Sequence, residues 1–179
     1  PYDAVYVSSY SAMRMGIDYL IRKGHQKIGF LTGIHSISTT SDRRKGYQDA
    51  MDAAGLSTEH LIRAGTSSTK LQAENLDALL ELGCTALAIS NNVLTVEARI
   101  LLGKRGLSVP KDMELLGFLD SDHAQYGLQK LSLISQPTAE LGRTAGKLLL
   151  SRMHSPEAPL QNVILQAAFM PVEQNKLIF

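Results

Sequence analysis

The chain has 179 residues, 44% apolar and 20% charged, with a net charge of +1. That is enough apolar content to bury the core of one domain or slightly more. The near-neutral balance argues against a nucleic-acid-binding surface, which shows as a clustered basic stripe. The one local cluster, Arg43-Arg44-Lys45, is offset by Asp42, Asp49 and Asp52. No apolar run approaches the length of a membrane span, and the start lacks the basic, apolar and small-residue regions of a secretory signal. The single cysteine, Cys84, cannot close an internal disulfide, and its apolar neighbours predict a buried thiol. These features fit a cytoplasmic protein.

In chain order, Ala4–Ser8 predicts a strand. Ser11–Lys23 sets Met13, Ile17, Leu20 and Ile21 at helical spacing, with Gly24 placed to end the helix as a left-handed cap. Lys27–Thr32 reads as a buried strand. The polar loop Ser36–Thr40 leads into a helix from about Asp42 to Ala54, closed by Gly55. A weaker strand, His60–Ala64, precedes a helix near Lys70–Leu82 that carries Leu76, Leu79 and Leu80 on one face. Cys84–Ile89 is the next buried strand, followed by a helix over Val93–Lys104 that stops at Gly106. Val109-Pro110 opens the connection to a fourth strong strand, Met113–Phe118.

This βαβα alternation requires parallel strands with helices on both faces, and right-handed crossovers make that a doubly wound α/β sheet. Ligands of such sheets sit beyond the carboxyl ends of the strands. The rule points to the loops after Thr32, Ala64, Ile89 and Phe118. Further on, Leu131–Ile134 reads as a strand and Pro137 suits the first turn of a helix. Leu141, Ala145, Leu148 and Leu149 form that helix's apolar face, Ser155–Pro159 a loop, and Asn162–Ala168 a final strand. There is no internal repeat, coiled-coil heptad or low-complexity tract.

Two stretches offer binding chemistry, each with an alternative. Ser36–Asp42 crowds hydroxyls and a carboxylate at a helix start, with Arg43 in the first turn. Thr39 or Ser41 can simply cap the helix; equally, free N–H groups, hydroxyls and the Arg43 guanidinium can grip an oxygen-rich ligand. Asn91-Asn92, at the end of Cys84–Ile89, either caps the next helix or exchanges hydrogen bonds with a sugar hydroxyl. Leu119-Asp120-Ser121-Asp122-His123 follows the fourth strand, but no second His or Cys cluster supports a metal. His25 lies at a helix-to-strand turn, away from the strand carboxyl ends, and reads as structural. Neither Gly-x-Ser-x-Gly nor Gly-x-x-x-x-Gly-Lys is present. The residues predict no enzyme, metal or cofactor, with Asp120 and His123 the one pair an enzyme reading would test.

A series of short signatures spans about Val5 to Met170. Gly24-His25-Gln26-Lys27-Ile28-Gly29-Phe30 is followed by Arg43-Arg44-Lys45-Gly46-Tyr47. Val109-Pro110-Lys111-Asp112 runs into Gly117-Phe118, and Gln136-Pro137 with Leu141-Gly142 closes the series. In this order they resemble the effector-binding region of the lac repressor family of bacterial transcription regulators. The resemblance implies a type I periplasmic-binding-protein-like fold of two similar α/β lobes with a small effector, sugar-like, between them. It assigns about 7–128 and 162–170 to the C-terminal lobe and about 131–154 to a segment of the N-terminal lobe. The DNA-binding headpiece and most of the N-terminal lobe then have no counterpart in this chain.

Carried over by position, Arg43 matches an effector-contacting arginine, Asn91 a further effector-facing residue, and Thr39 a small polar position in the same wall. Of the two acids usual after Gly117-Phe118, Leu119 replaces the ligand-contacting one and only Asp120 remains. Thr66-Ser67-Ser68 lacks the aromatic often found there, which leaves Ser67 at the ligand-facing position. The effector is therefore open: less hydroxylated, or anionic and held by Arg43. The resemblance further implies a homodimer formed partly through the helix after Asn91-Asn92, and operator DNA reached only through the missing headpiece. A periplasmic solute-binding protein of the same fold, for transport or chemotaxis, is the alternative; the match at Gly24–Phe30 and Gln136–Gly142 favours the regulator.

Overall fold

The computed structural model describes residues 2–33, 38–64, 69–119 and 130–174, with the backbone alone for 69–71. Its elements run β1 (Ala4–Val7), α1 (Ser9–Arg22), β2 (Ile28–Thr32), α2 (Ser38–Ala53), β3 (Ile62–Ala64) and α3 (Thr69–Glu81). They continue with β4 (Ala86–Ile89), α4 (Asn92–Lys104), β5 (Glu114–Phe118), β6 (Ser132–Ser135), α5 (Thr138–His154), β7 (Asn162–Leu165) and β8 (Ala168–Met170). Six strands form one sheet in the order β3-β2-β4-β5-β6-β8, and β1 pairs with β7 in a separate two-stranded sheet. All pairings in the larger sheet are parallel except β6 with β8.

Every residue of β2, β4 and β5 is buried. Near-continuous apolar runs of this kind belong to a parallel sheet covered on both faces. Successive side chains along β2 face opposite layers. Phe30 stacks on Tyr47 of α2 with ring centroids 4.9 Å apart, whereas the Cα of Gly29 faces Leu79 of α3. Helices α1 and α2 pack together on one face, and α3 and α4 on the other. Tyr47 also donates its hydroxyl to the Ile28 carbonyl at 2.7 Å, so its one polar atom is satisfied inside the core. Gly46 lets α1 and α2 touch, since a Cβ there would run into the Tyr10 carbonyl oxygen.

The first four helices close in one way. After α1, Gly24 adopts φ 96° and the N–H of His25 reaches back to the Leu20 carbonyl at 3.2 Å, which satisfies the carbonyls a helix end leaves free. Leu56, Cys84 and Leu107 repeat that bond after α2, α3 and α4. The predicted glycine caps are all of this type.

Four expectations change. The strand Leu131–Ile134, expected in a segment of the N-terminal lobe, has Leu133 and Ile134 buried beside β5 and belongs to the larger sheet. The predicted strand Asn162–Ala168 is two. Asn162–Leu165 pairs with β1 in the small sheet, and only after Gln166–Ala167 does the chain return to pair with β6. β1 therefore also lies outside the larger sheet. Third, α2 begins at Ser38, not near Asp42, so Thr39 and Thr40 are helical and Arg43 falls in the second turn. Fourth, β3 is shorter than His60–Ala64, because His60 has φ 60°, a left-handed value no strand admits.

The small sheet is covered by α5. Arg152 of α5 clamps the start of the chain, its Nε and Nη2 each 2.9 Å from a carboxylate oxygen of Asp3. A concavity of about 450 Å³ lies there, lined by Tyr2, Val5, Leu148, Leu149 and Leu160 among others.

Candidate functional site: a crevice at the strand carboxyl ends

From β2 the chain winds outward to β3, then returns to β4 on the other side of β2. The chain thus leaves β2 on one side and returns on the other, which makes the carboxyl ends of β2 and β4 the switch point of the sheet, where ligands of this architecture find a crevice. Its floor is stitched by two bonds. Ser90 donates its N–H to the Leu31 carbonyl at 2.9 Å, and its hydroxyl accepts the N–H of Gly33 at 3.1 Å.

Arg43, from α2, reaches across this floor and is only 7% exposed. Its Nη1 donates to the Ser90 carbonyl, and its Nη2 donates to Gln136 Oε1 at 3.0 Å. The guanidinium carbon lies 3.7 Å from the centre of the Phe118 ring, a cation–π stack. One side chain thus touches the ends of β4, β5 and β6. Among the described residues its Nε has no hydrogen-bond partner. Burial pulls the Arg43 pKa down to about 10, with nearby Asp42 acting in the opposite sense. The group stays charged at neutral pH, but at a desolvation cost.

Asn91 caps α4, its Oδ1 accepting the N–H of Leu94 at 2.9 Å. The capping alternative is thus realised, and its Nδ2 lies beside Gly33, 3.4 Å from where a Cβ on that glycine would stand. Thr39 sits four residues before Arg43, hence on the same side of α2, and is exposed. Leu119 is enclosed and makes the wall at the end of β5 apolar. Asp120 and Ser67 lie outside the described residues.

The structure brings Arg43, Asn91 and Leu119 to the carboxyl end of the sheet and adds Ser90, together with Phe118 and Gln136, which the sequence marks only as parts of signatures. Gln136 has no expected role in the site, because the strand before it is expected in the other lobe. The strand-end rule finds it once β6 is placed beside β5.

His25 lies at the opposite, amino end of the strands, with Nδ1 2.9 Å from Thr85 Oγ1 and Nε2 3.2 Å from Glu114 Oε2. Lys23 pairs with the buried Glu114 at 2.6 Å. Burial works against the charge of Lys23, yet its bonds to Glu114, Tyr19 and Glu173 hold its pKa above the ordinary value. This network ties α1 to β4, β5 and the chain after β8. Cys84 is buried and free. Among the described residues no group of His, Cys, Asp and Glu has the arrangement of a metal site, and no helix is long and apolar enough to cross a membrane.

A family model described as periplasmic binding protein-like domain matches residues 17–171. The chain belongs to that family. Within it, the chain resembles the effector-binding region of lac repressor family transcription regulators. It is 37% identical over 125 residues to the HTH-type transcriptional regulator AscG of Escherichia coli, covering 68% of this chain and 37% of that protein. To the ribose operon repressor of Haemophilus influenzae it is 31% identical over 150 residues, or 82% of this chain and 45% of that protein. A solved LacI family transcriptional regulator from Enterococcus faecium, with bound ribose, superposes with a TM-score of 0.85 at 26% identity, covering 94% of this chain and 63% of that one. The chain spans less than half the length of these two curated relatives. Both are regulators of transcription.

Proposed function

We propose that this chain is the effector-sensing part of a lac repressor family transcription regulator. A small sugar or related metabolite binds at the crevice beyond β2, β4, β5 and β6, and its occupancy shifts the affinity of the whole protein for operator DNA. The observation that carries this reading is the placement of Arg43. It is a buried guanidinium with unspent donors at the switch point of the sheet, where ligands of this architecture bind. Arg43 is the principal contact, Asn91 presents its Nδ2, and Thr39 and Leu119 line the walls; Asp120 and Ser67 complete the proposed set of contacts. No catalytic residue, metal or cofactor takes part.

The larger sheet is the C-terminal lobe, and β1, β7 and α5 are this chain's share of the N-terminal lobe. Residues 136–137 and 166–167 are then the crossings between lobes. Gln136, bonded to Arg43, stands on one of them, so a ligand at Arg43 acts directly on a lobe connection. Coupling of this kind needs the effector to prefer one lobe arrangement over the other. The protein works as a homodimer, joined partly through α4, where Val93 and Ile100 expose apolar surface. Operator DNA is reached through a headpiece outside this chain, which places the protein in the cytoplasm.

The test is calorimetric titration of the intact protein with a panel of pentoses, hexoses and glycosides, starting with ribose, the ligand of the Enterococcus faecium relative. Arg43→Ala is expected to abolish binding of whichever member binds while the urea midpoint stays near the parent's. A binding curve unchanged in Arg43→Ala would remove the crevice from the function.

A further inference from the structure

Arg43 is the one buried Arg or Lys among the described residues. Its contacts among the described residues are a backbone carbonyl, an amide oxygen and an aromatic ring, all neutral. Asp42, the acid that influences it, is itself exposed. Elsewhere the same chain treats arginine differently. Arg152 offers its Nε–Nη2 edge to both oxygens of Asp3, each at 2.9 Å. Arg105 offers the same edge to both oxygens of Asp77, with Nη2 at 2.7 Å. Among the described residues, that edge of Arg43 holds an unpartnered Nε and, at Nη2, only the uncharged Gln136 oxygen. The residue that follows β5, Leu119, is buried and apolar. A buried charge without a counter-charge is costly. Here the most enclosed arginine has the weakest complement, although paired carboxylates are the usual match for this fork.

We propose that the effector of this chain carries a carboxylate or a phosphate group, and that this group binds the Nε–Nη2 edge of Arg43 in place of the Gln136 amide oxygen. The proposal rests on the crevice being the effector site. Binding sets a negative charge against this edge and frees Gln136, so the charged group of the ligand both anchors it and releases the connection between β6 and α5. The neutral amide of Gln136 holds the guanidinium in position in the empty state without satisfying its charge.

The experiment uses matched pairs that differ in charge: glucose against glucuronate, galactose against galacturonate, and ribose against ribose 5-phosphate. Each is titrated into the intact protein and into Arg43→Gln and Arg43→Lys, with circular dichroism confirming that both variants fold. At least one acidic member is expected to bind about tenfold or more tightly than its neutral partner, the excess of a charge-assisted fork over neutral hydrogen bonds. That preference should weaken with salt, vanish in Arg43→Gln and survive in part in Arg43→Lys. The uronates and the sugar phosphate decide between carboxylate and phosphate. A neutral sugar binding as tightly as its acidic partner, in an Arg43-dependent way, overturns the charge proposal and leaves the site standing. Binding that Arg43→Gln does not alter overturns both, and no response to any acidic member overturns the charge proposal.

Discussion

β5 reads Glu-Leu-Leu-Gly-Phe and β7 reads Asn-Val-Ile-Leu, two short runs dominated by apolar residues. Yet every residue of β5 is buried, while β7 alternates between exposed and half-buried. Their surroundings differ more than their composition. β5 has a strand on each side and helices on both faces of its sheet, whereas β7 has one partner strand and a sheet covered by α5. Helix α5 repeats the contrast against α3. Leu76 and Leu79 of α3 are fully enclosed, but on α5 Leu148 is buried while Leu149 and Met153 remain 62% and 69% exposed. An apolar stripe states that a face needs covering; only the topology decides whether this chain covers it.

The largest expected effect follows from that difference. Leu79→Ala removes a side chain packed over Gly29 and Leu87, with no slack to refill the space, and should cost about 2–5 kcal/mol. Leu149→Ala, on a similar helix of the small half, should change stability by no more than about 0.5 kcal/mol. Urea midpoints of the two variants measure the contrast directly. Comparable losses would mean that the face of α5 is covered in solution, and the comparison between the two halves would fail.

A smaller effect tests how the larger half holds the buried acid Glu114. Glu114 meets Lys23 at 2.6 Å and His25 at 3.2 Å. Glu114→Gln keeps the shape but removes the negative charge that both bases face. With Lys23 about a third exposed, the loss should be about 1–3 kcal/mol, less than for a fully enclosed pair. The midpoint should fall without any change in effector binding, because the network lies at the end of the sheet opposite Arg43. A loss of binding at unchanged stability would contradict the separation of the two ends.

The same contrast explains what the amino-acid sequence revealed. Helices were legible because their signals are local: Met13, Ile17 and Leu20 share a face, and Gly24 and Gly106 stop the chain where only a left-handed residue serves. The strands β2, β4 and β5 were legible as uninterrupted apolar runs. Allocation of strands to sheets was not, since Ser132–Ser135 and Asn162–Leu165 look alike locally and differ only in long-range partners. That gap carried into the site. Arg43 and Asn91 stood out by chemistry and strand-end position, but Gln136 became visible only with β6 seated beside β5. Thr39 was placed in a loop because hydroxyl-rich stretches favour caps and turns, whereas here they form the first turn of α2.

The smallest effect concerns the clamp on the small half. Hydrogen bonds from Arg152, then from the backbone N–H of Gln161, lower the pKa of Asp3 from 3.8 to about 2. A carboxylate whose pKa is depressed by folding stabilises the native state fully above its unfolded pKa and loses that contribution as pH falls through its folded one. The contribution should therefore be intact at pH 5 and decline between about pH 4 and pH 2. Solvent and salt screen this pair, so the decline should be modest. Hydrogen exchange across the same range should show the amides of β1 and β7 losing protection before those of β2, β4 and β5, and Asp3→Asn should remove the pH dependence of that loss. Simultaneous loss in both sheets would show that the two halves open as one unit, and that the half-covered ribbon draws its stability from the larger sheet.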